Sequence, residues 1–107
     1  MIKNRSLTDV EIRRIFDVAT LHALEVFGYF RKPKLVIENM PSNRTSDFHY
    51  ISEDNAVHMN RKTRDELYSS FLHELTHAYF EHCGEHHKGV FSEYCRKVGG
   101  CYADYTS

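Results

Sequence analysis

The segment "HELTH", residues 73–77, puts two histidines four positions apart with a glutamate directly after the first. Residues so spaced lie one turn above each other on one face of an α-helix. The pentapeptide therefore has chemical meaning only if the chain around it is helical, and this requirement constrains the fold more than any other feature. On that helix His73 and His77 project two imidazoles toward one point, at a separation suited to a tetrahedral zinc ion. Glu74 sits about 100° round the helix from His73. That places it outside the ligand set but beside any water on the metal, which is the general-base position of an HExxH arrangement.

The flanking residues agree with a helix. Thr63 and Glu66 have the spacing of a capping box, opening a helix expected to run to about Cys83 before Gly84 ends it. Tyr68, Phe71, Leu72, Leu75 and Tyr79 form an apolar stripe fit for burial. Ser69, Ser70 and Thr76 flank the histidine face, and their small side chains leave room for a metal and a substrate.

Upstream, apolar residues at Val10, Ile15, Ala19, Leu24 and Phe27 recur near helical spacing from Ser6 to about Phe27. Thr8 and Glu11 supply a capping box, and Gly28 supplies the stop. Residues 33–39, "PKLVIEN", read as a strand, and "MPSNRTSD" at 40–47 as a loop. "FHYIS" (48–52) and "AVHMN" (56–60) read as two more strands joined by a polar turn at Glu53, Asp54 and Asn55. The three are expected to form a meander. A last short helix covers Val90 to Val98 and stops at the glycine pair 99–100. The order of elements gives an α+β domain: a long N-terminal helix, a small three-stranded sheet, the HExxH helix and a short helix after it.

With 107 residues the chain has material for a single domain, 1–107. It contains no apolar run near the roughly 18 residues that cross a bilayer, and "MIKNRSLTDVEIRR" has no apolar stretch of the signal-peptide kind. The expectation is an intracellular (cytoplasmic) protein with no membrane partner. Cys83, Cys95 and Cys101 cannot all pair within the chain and include no CxxC, so free thiols are expected. Residues 1–64 carry 11 Lys/Arg against 8 Asp/Glu, and residues 65–107 carry 3 against 7. The basic clusters "RKPK" (31–34) and "NRKTR" (60–64) read as solvated charge, because the whole chain lacks the basic excess of a dedicated nucleic-acid binder.

A catalytic zinc generally takes three protein ligands and keeps one open position. Candidates for the third are His82, Cys83, His86 and His87, with Glu93 a weaker option. His82 lies five residues past His77 and so points about 140° away. The metzincin pattern needs glycine at position 80 and histidine at position 83, where this chain has Phe80 and Cys83, so that class is excluded. His86 and His87 follow Gly84, where the chain can turn back over the helix, and only one of two adjacent side chains can face the metal. Tyr94 and Tyr102 are candidates for holding an oxyanion. His58 reads as a strand surface residue with the cleft as its alternative, and His22 and His49 as structural.

"FLHELTHAY" followed by "HHKGVF" resembles the SprT-like (Spartan-type) zinc metalloproteases, over roughly residues 48 to 98. Their motif is an HExxH helix, a short connection, and a histidine with an aromatic residue four positions later. His87 and Phe91 have that spacing, whereas His86 is one residue out of register. The resemblance therefore implies His73, His77 and His87 as ligands of Zn²⁺, with Glu74 as catalytic base, in a minimal zincin-like domain. It implies hydrolysis of peptide bonds in protein or peptide substrates, with DNA as a further partner. Lys88 stands where the family often has glycine directly after its third histidine. The alternatives are a zinc-stabilised, non-proteolytic regulatory or DNA-associated module, and a metal-dependent hydrolase of a non-peptide bond.

Overall fold

The computed structural model describes residues 7–39, 47–63, 66–81 and 90–99. Helix α1 spans Asp9–Phe27. The Thr8 hydroxyl accepts from the Glu11 amide at 3.1 Å, and the Glu11 carboxylate accepts from the Thr8 amide at 2.8 Å, which completes the expected capping box. At the other end Gly28 takes φ +86° and donates its N–H to Leu24. The buried stripe of α1 is Ile12, Phe16, Ala19, Thr20 and Ala23. Of the five positions expected from spacing, only Ala19 is fully buried. Val10 is 63% exposed, because it lies well round the helix from the face that Ile12 and Phe16 define.

Strands β1 (Lys34–Glu38), β2 (Phe48–Ile51) and β3 (Ala56–Asn60) fall where the sequence places them. Their arrangement corrects the expected meander. The order is β1-β3-β2, with β3 parallel to β1 and antiparallel to β2. Burial explains the central place of β3, since four of its five residues are buried while β1 opens on exposed Lys34. Asn55 ties the turn before β3 to the start of β1. It adopts φ +49°, accepts from the Tyr50 hydroxyl at 2.7 Å and donates to the Lys32 carbonyl at 3.2 Å. Its own carbonyl accepts from the Lys34 amide.

Helix α2, Leu67–Phe80, differs from expectation at both ends. Glu66, not Thr63, is the N-cap, and its carboxylate accepts from the Ser69 amide and hydroxyl, each at 2.7 Å. Thr63 instead closes a turn onto the Asn60 carbonyl. Partial burial works against the charge on Glu66, but the bonds from Ser69 and the Tyr68 amide hold its carboxyl below the usual range. The helix stops at Glu81, which is left-handed at φ +58°; the expected last residue Cys83 and stop Gly84 lie outside the described residues. Helix α3 covers Val90–Val98 as expected, and Gly99 follows it at φ +95°.

One face of the sheet, carrying Leu35, Phe48, Tyr50, Val57 and Met59, meets α1 and α2. Phe71 sits at the centre of this core, edge-on to Phe16 at 5.2 Å and to Phe48 at 5.6 Å. Among the described elements α3 touches only the two other helices. The Nε2 atom of His22 on α1 lies 3.1 Å from the Val98 carbonyl, which gives the last turn of α3 a partner.

Candidate metal centre

Most surface helices bury a single stripe, but α2 is buried on every side from Phe71 to Ala78. The sheet covers one flank, α1 another, and α3 closes over the turn that carries the histidines. The expected open polar face is therefore not seen: His73 is 0% exposed, Glu74 1% and His77 1%. Ser70 and Thr76 are buried with them. Thr76 returns its hydroxyl to the Leu72 carbonyl at 2.8 Å, whereas among the described residues the Ser70 hydroxyl oxygen has no hydrogen-bond partner.

The helix brings the first two sequence-predicted ligands together. The rings of His73 and His77 have their centres 5.0 Å apart at 77°. Two nitrogens sharing one zinc lie no more than about 4.2 Å apart, twice the ordinary bond length. The ring spacing is compatible with that limit.

Phe91, at the start of α3, packs against both imidazoles, 5.5 Å from His73 and 4.4 Å from His77. One turn further along α3, the Sγ atom of Cys95 lies 3.6 Å from Nδ1 of His73. Sequence reasoning treated Cys95 only as a free thiol. It is a buried thiol in no disulfide, and its spacing from Phe91 was a signal that both would face α2.

Among the described residues Glu74 has the largest electrostatic perturbation. Burial pushes its carboxyl up to about 8, and the backbone amide of Tyr50, on β2, partly opposes this by donating to it. Among the described residues its Oε1 atom has no hydrogen-bond partner. Burying such a group without a partner is costly, and the cost falls if a cation or a reacting group meets that oxygen. Two buried imidazoles, beside a carboxyl with one oxygen unpartnered among the described residues, are of the kind that zinc takes but fall short of its three protein ligands.

Other candidates take different places. His86, His87, His82, Cys83 and Tyr102 lie outside the described residues. Among the described residues no three His, Cys, Asp or Glu side chains form a metal-binding group, so the third ligand is not supplied by them. Glu93 is exposed on α3, on the side away from Phe91 and Cys95. The ring of Tyr94 stacks on Phe27 and Tyr79 in an aromatic cluster, with the Lys97 ammonium 5.4 Å from its centre. Tyr79 lies about 200° round α2 from His77, and Phe80 links this cluster to Phe91, with its ring centre 5.3 Å from Tyr94 and 6.1 Å from Phe91. His58 faces away from α2; its Nδ1 is 3.0 Å from Glu38 Oε2, and its ring stacks on His49 at 5.4 Å. Among the described residues a groove also lies elsewhere, between α1 and the first turn of α2, lined by Leu7, Ile15, Val18 and Leu67 among others.

No protein-family model, no curated protein and no solved structure matches the chain.

Proposed function

We propose that this chain is a zinc-dependent metallopeptidase of SprT-like type. The observation that carries the reading is Glu74: a carboxyl 1% exposed, one oxygen without a partner among the described residues, next to two imidazoles 5.0 Å apart. A helix that needed only to pack would gain stability from an apolar residue there. In this reading His73 and His77 hold the metal, and His87 completes the set, four positions before the Phe91 ring that touches both.

Bound zinc would supply Lewis acidity toward water and toward a substrate carbonyl. Glu74 does the proton work. Its Oε1 accepts a proton from the attacking water and returns it to the leaving amine. Burial disfavours ionisation of Glu74, and a dication held by His73 and His77 would favour it. The Tyr50 amide orients the carboxyl. An extended peptide lying along the outer strand β2 would pass this carboxyl, because Tyr50 belongs to that strand.

Wild type and Glu74→Gln, compared for zinc content and for cleavage of an unfolded protein with and without single-stranded DNA, test the reading. Equal zinc with lost cleavage in the variant supports it. Zinc-loaded wild type that cleaves none of several unfolded substrates overturns it. The near-complete burial of His73, Glu74 and His77 favours one second reading, a zinc-stabilised binding module, since structural zinc sites are closed. That reading is recognised by zinc-dependent folding without turnover.

A further inference from the structure

Helix α3 meets the two imidazoles with two residues of its own at the same spacing. Phe91 and Cys95 are four apart on α3, as His73 and His77 are on α2, and the pairs face each other. Phe91 lies against both rings without a polar atom to offer, so it can limit their tilt but not choose which nitrogen carries a proton. Cys95 can do the second. Its sulfur is 3.6 Å from Nδ1 of His73, within reach of a sulfur hydrogen bond, and the residue is 0% exposed. Water therefore does not compete for that contact.

We propose that Cys95 is a positioning residue for the candidate metal centre: its sulfur accepts the Nδ1–H of His73 and so presents Nε2 of that ring to the metal. The inference rests on the zinc reading above and extends it to a residue outside the HExxH motif. A histidine that binds a metal through one nitrogen commonly donates its other N–H to a fixed acceptor, which sets the tautomer and the ring direction. Carboxylates and carbonyls are the usual acceptors, and sulfur is a weaker one. The expected effect is therefore at the lower end of the 10- to 100-fold range that such partners contribute to metal affinity. On the next residue, the Oε1 of Glu74, without a partner among the described residues, is the independent sign that this turn of α2 is arranged around something else.

The test uses Cys95→Ser, Cys95→Ala and Cys95→Val in the full chain. Serine keeps a polar acceptor, alanine removes it and leaves a small void, and valine removes it while filling the space. Zinc affinity measured by chelator competition should fall about tenfold in both the alanine and the valine variants. Serine should restore most of it. In the metal-free protein, ¹⁵N shifts of the His73 ring should report a proton on Nδ1 in wild type and lose that preference in Cys95→Val. Helix content by circular dichroism confirms that each variant is folded. Cys95→Val that binds zinc as tightly as wild type, or an unchanged His73 tautomer, overturns the proposal. Wild type that takes up no zinc is a different outcome, because it removes the metallopeptidase reading itself and this role with it.

Discussion

The backbone amide of Tyr50, on the edge strand β2, donates to the carboxyl of Glu74 on the buried helix α2. This contact joins the two halves of the domain at its most costly buried group. One backbone donor does not offset full burial, and the carboxyl remains pushed up to about 8. Burial therefore favours the neutral acid in the metal-free chain, and in the proposed reading a cation beside Glu74 would favour the ionised form that a base needs.

A pH dependence of stability follows for the metal-free protein. The folded-state value for Glu74 lies above the ordinary 4.5, so the folded state holds a proton that the unfolded chain releases. The contribution is fully present below about pH 4.5 and is lost as pH rises through 8. Over that window it amounts to about 5 kcal/mol at most. Denaturant titrations in the presence of a chelator should therefore show a steeper fall in stability from pH 5.5 to 8.5 for wild type than for Glu74→Gln. Parallel curves for the two proteins would show that Glu74 ionises normally in the fold.

Phe71 should be the most sensitive position in the core. It is 0% exposed and makes edge contacts to Phe16 from α1 and Phe48 from β2. Phe71→Ala removes the ring at which helix and sheet meet, at a cost of about 3–5 kcal/mol. Against a total of about 5–15 kcal/mol for a domain of ordinary stability, urea unfolding should show a midpoint shifted far toward zero. Val10→Ala on exposed α1 should shift it little, since Val10 is 63% exposed.

Asn55 offers a separable test of turn chemistry. Its φ of +49° favours Asn or Gly, and its side chain bonds both the Tyr50 hydroxyl and the Lys32 carbonyl. Asn55→Gly loses the two side-chain bonds but keeps the backbone conformation. Asn55→Ala loses both, so it should be the less stable of the two by about 1 kcal/mol. Equal thermal stability of the two variants would mean that the turn has shifted to a negative φ.

What the sequence made legible here was local. Thr8 and Glu11 are three residues apart, and Gly28 adjoins the helix it ends; each acts through its own backbone neighbourhood. His73 and His77 meet for the same reason, because helix pitch alone brings them together. The parallel pairing of β1 with β3 depends instead on which strand is buried deepest, a property of the whole packed domain that no window of five residues contains. The contacts that give the candidate site its character are also long-range. Tyr50 reaches Glu74 across 24 residues of chain, and Cys95 reaches His73 across 22. Even the early end of α2 was hidden, because a left-handed Glu81 is not a residue type that announces a stop.

The third ligand gives the sharpest test of the site as a whole. Two imidazoles from one helix are too few for a stable zinc site, and among the described residues no third donor joins them. His86 and His87 precede Phe91 by five and four residues, and Phe91 packs on both His73 and His77. The resemblance to SprT-like proteases assigns the role to His87. Metal content after dialysis against trace zinc should therefore fall below 0.1 equivalents, on the order of a tenfold loss or more, in His73→Ala, His77→Ala and His87→Ala. His86→Ala should stay close to wild type. Because zinc binding to a site absent from the unfolded chain adds to folding stability, the thermal midpoints should sort in the same way: zinc raises that of wild type and His86→Ala and leaves the other three unchanged. The opposite ranking of the two neighbours would move the ligand to His86. Equal zinc in all five proteins would place the metal elsewhere in the chain and remove the reason for Glu74 to be a base.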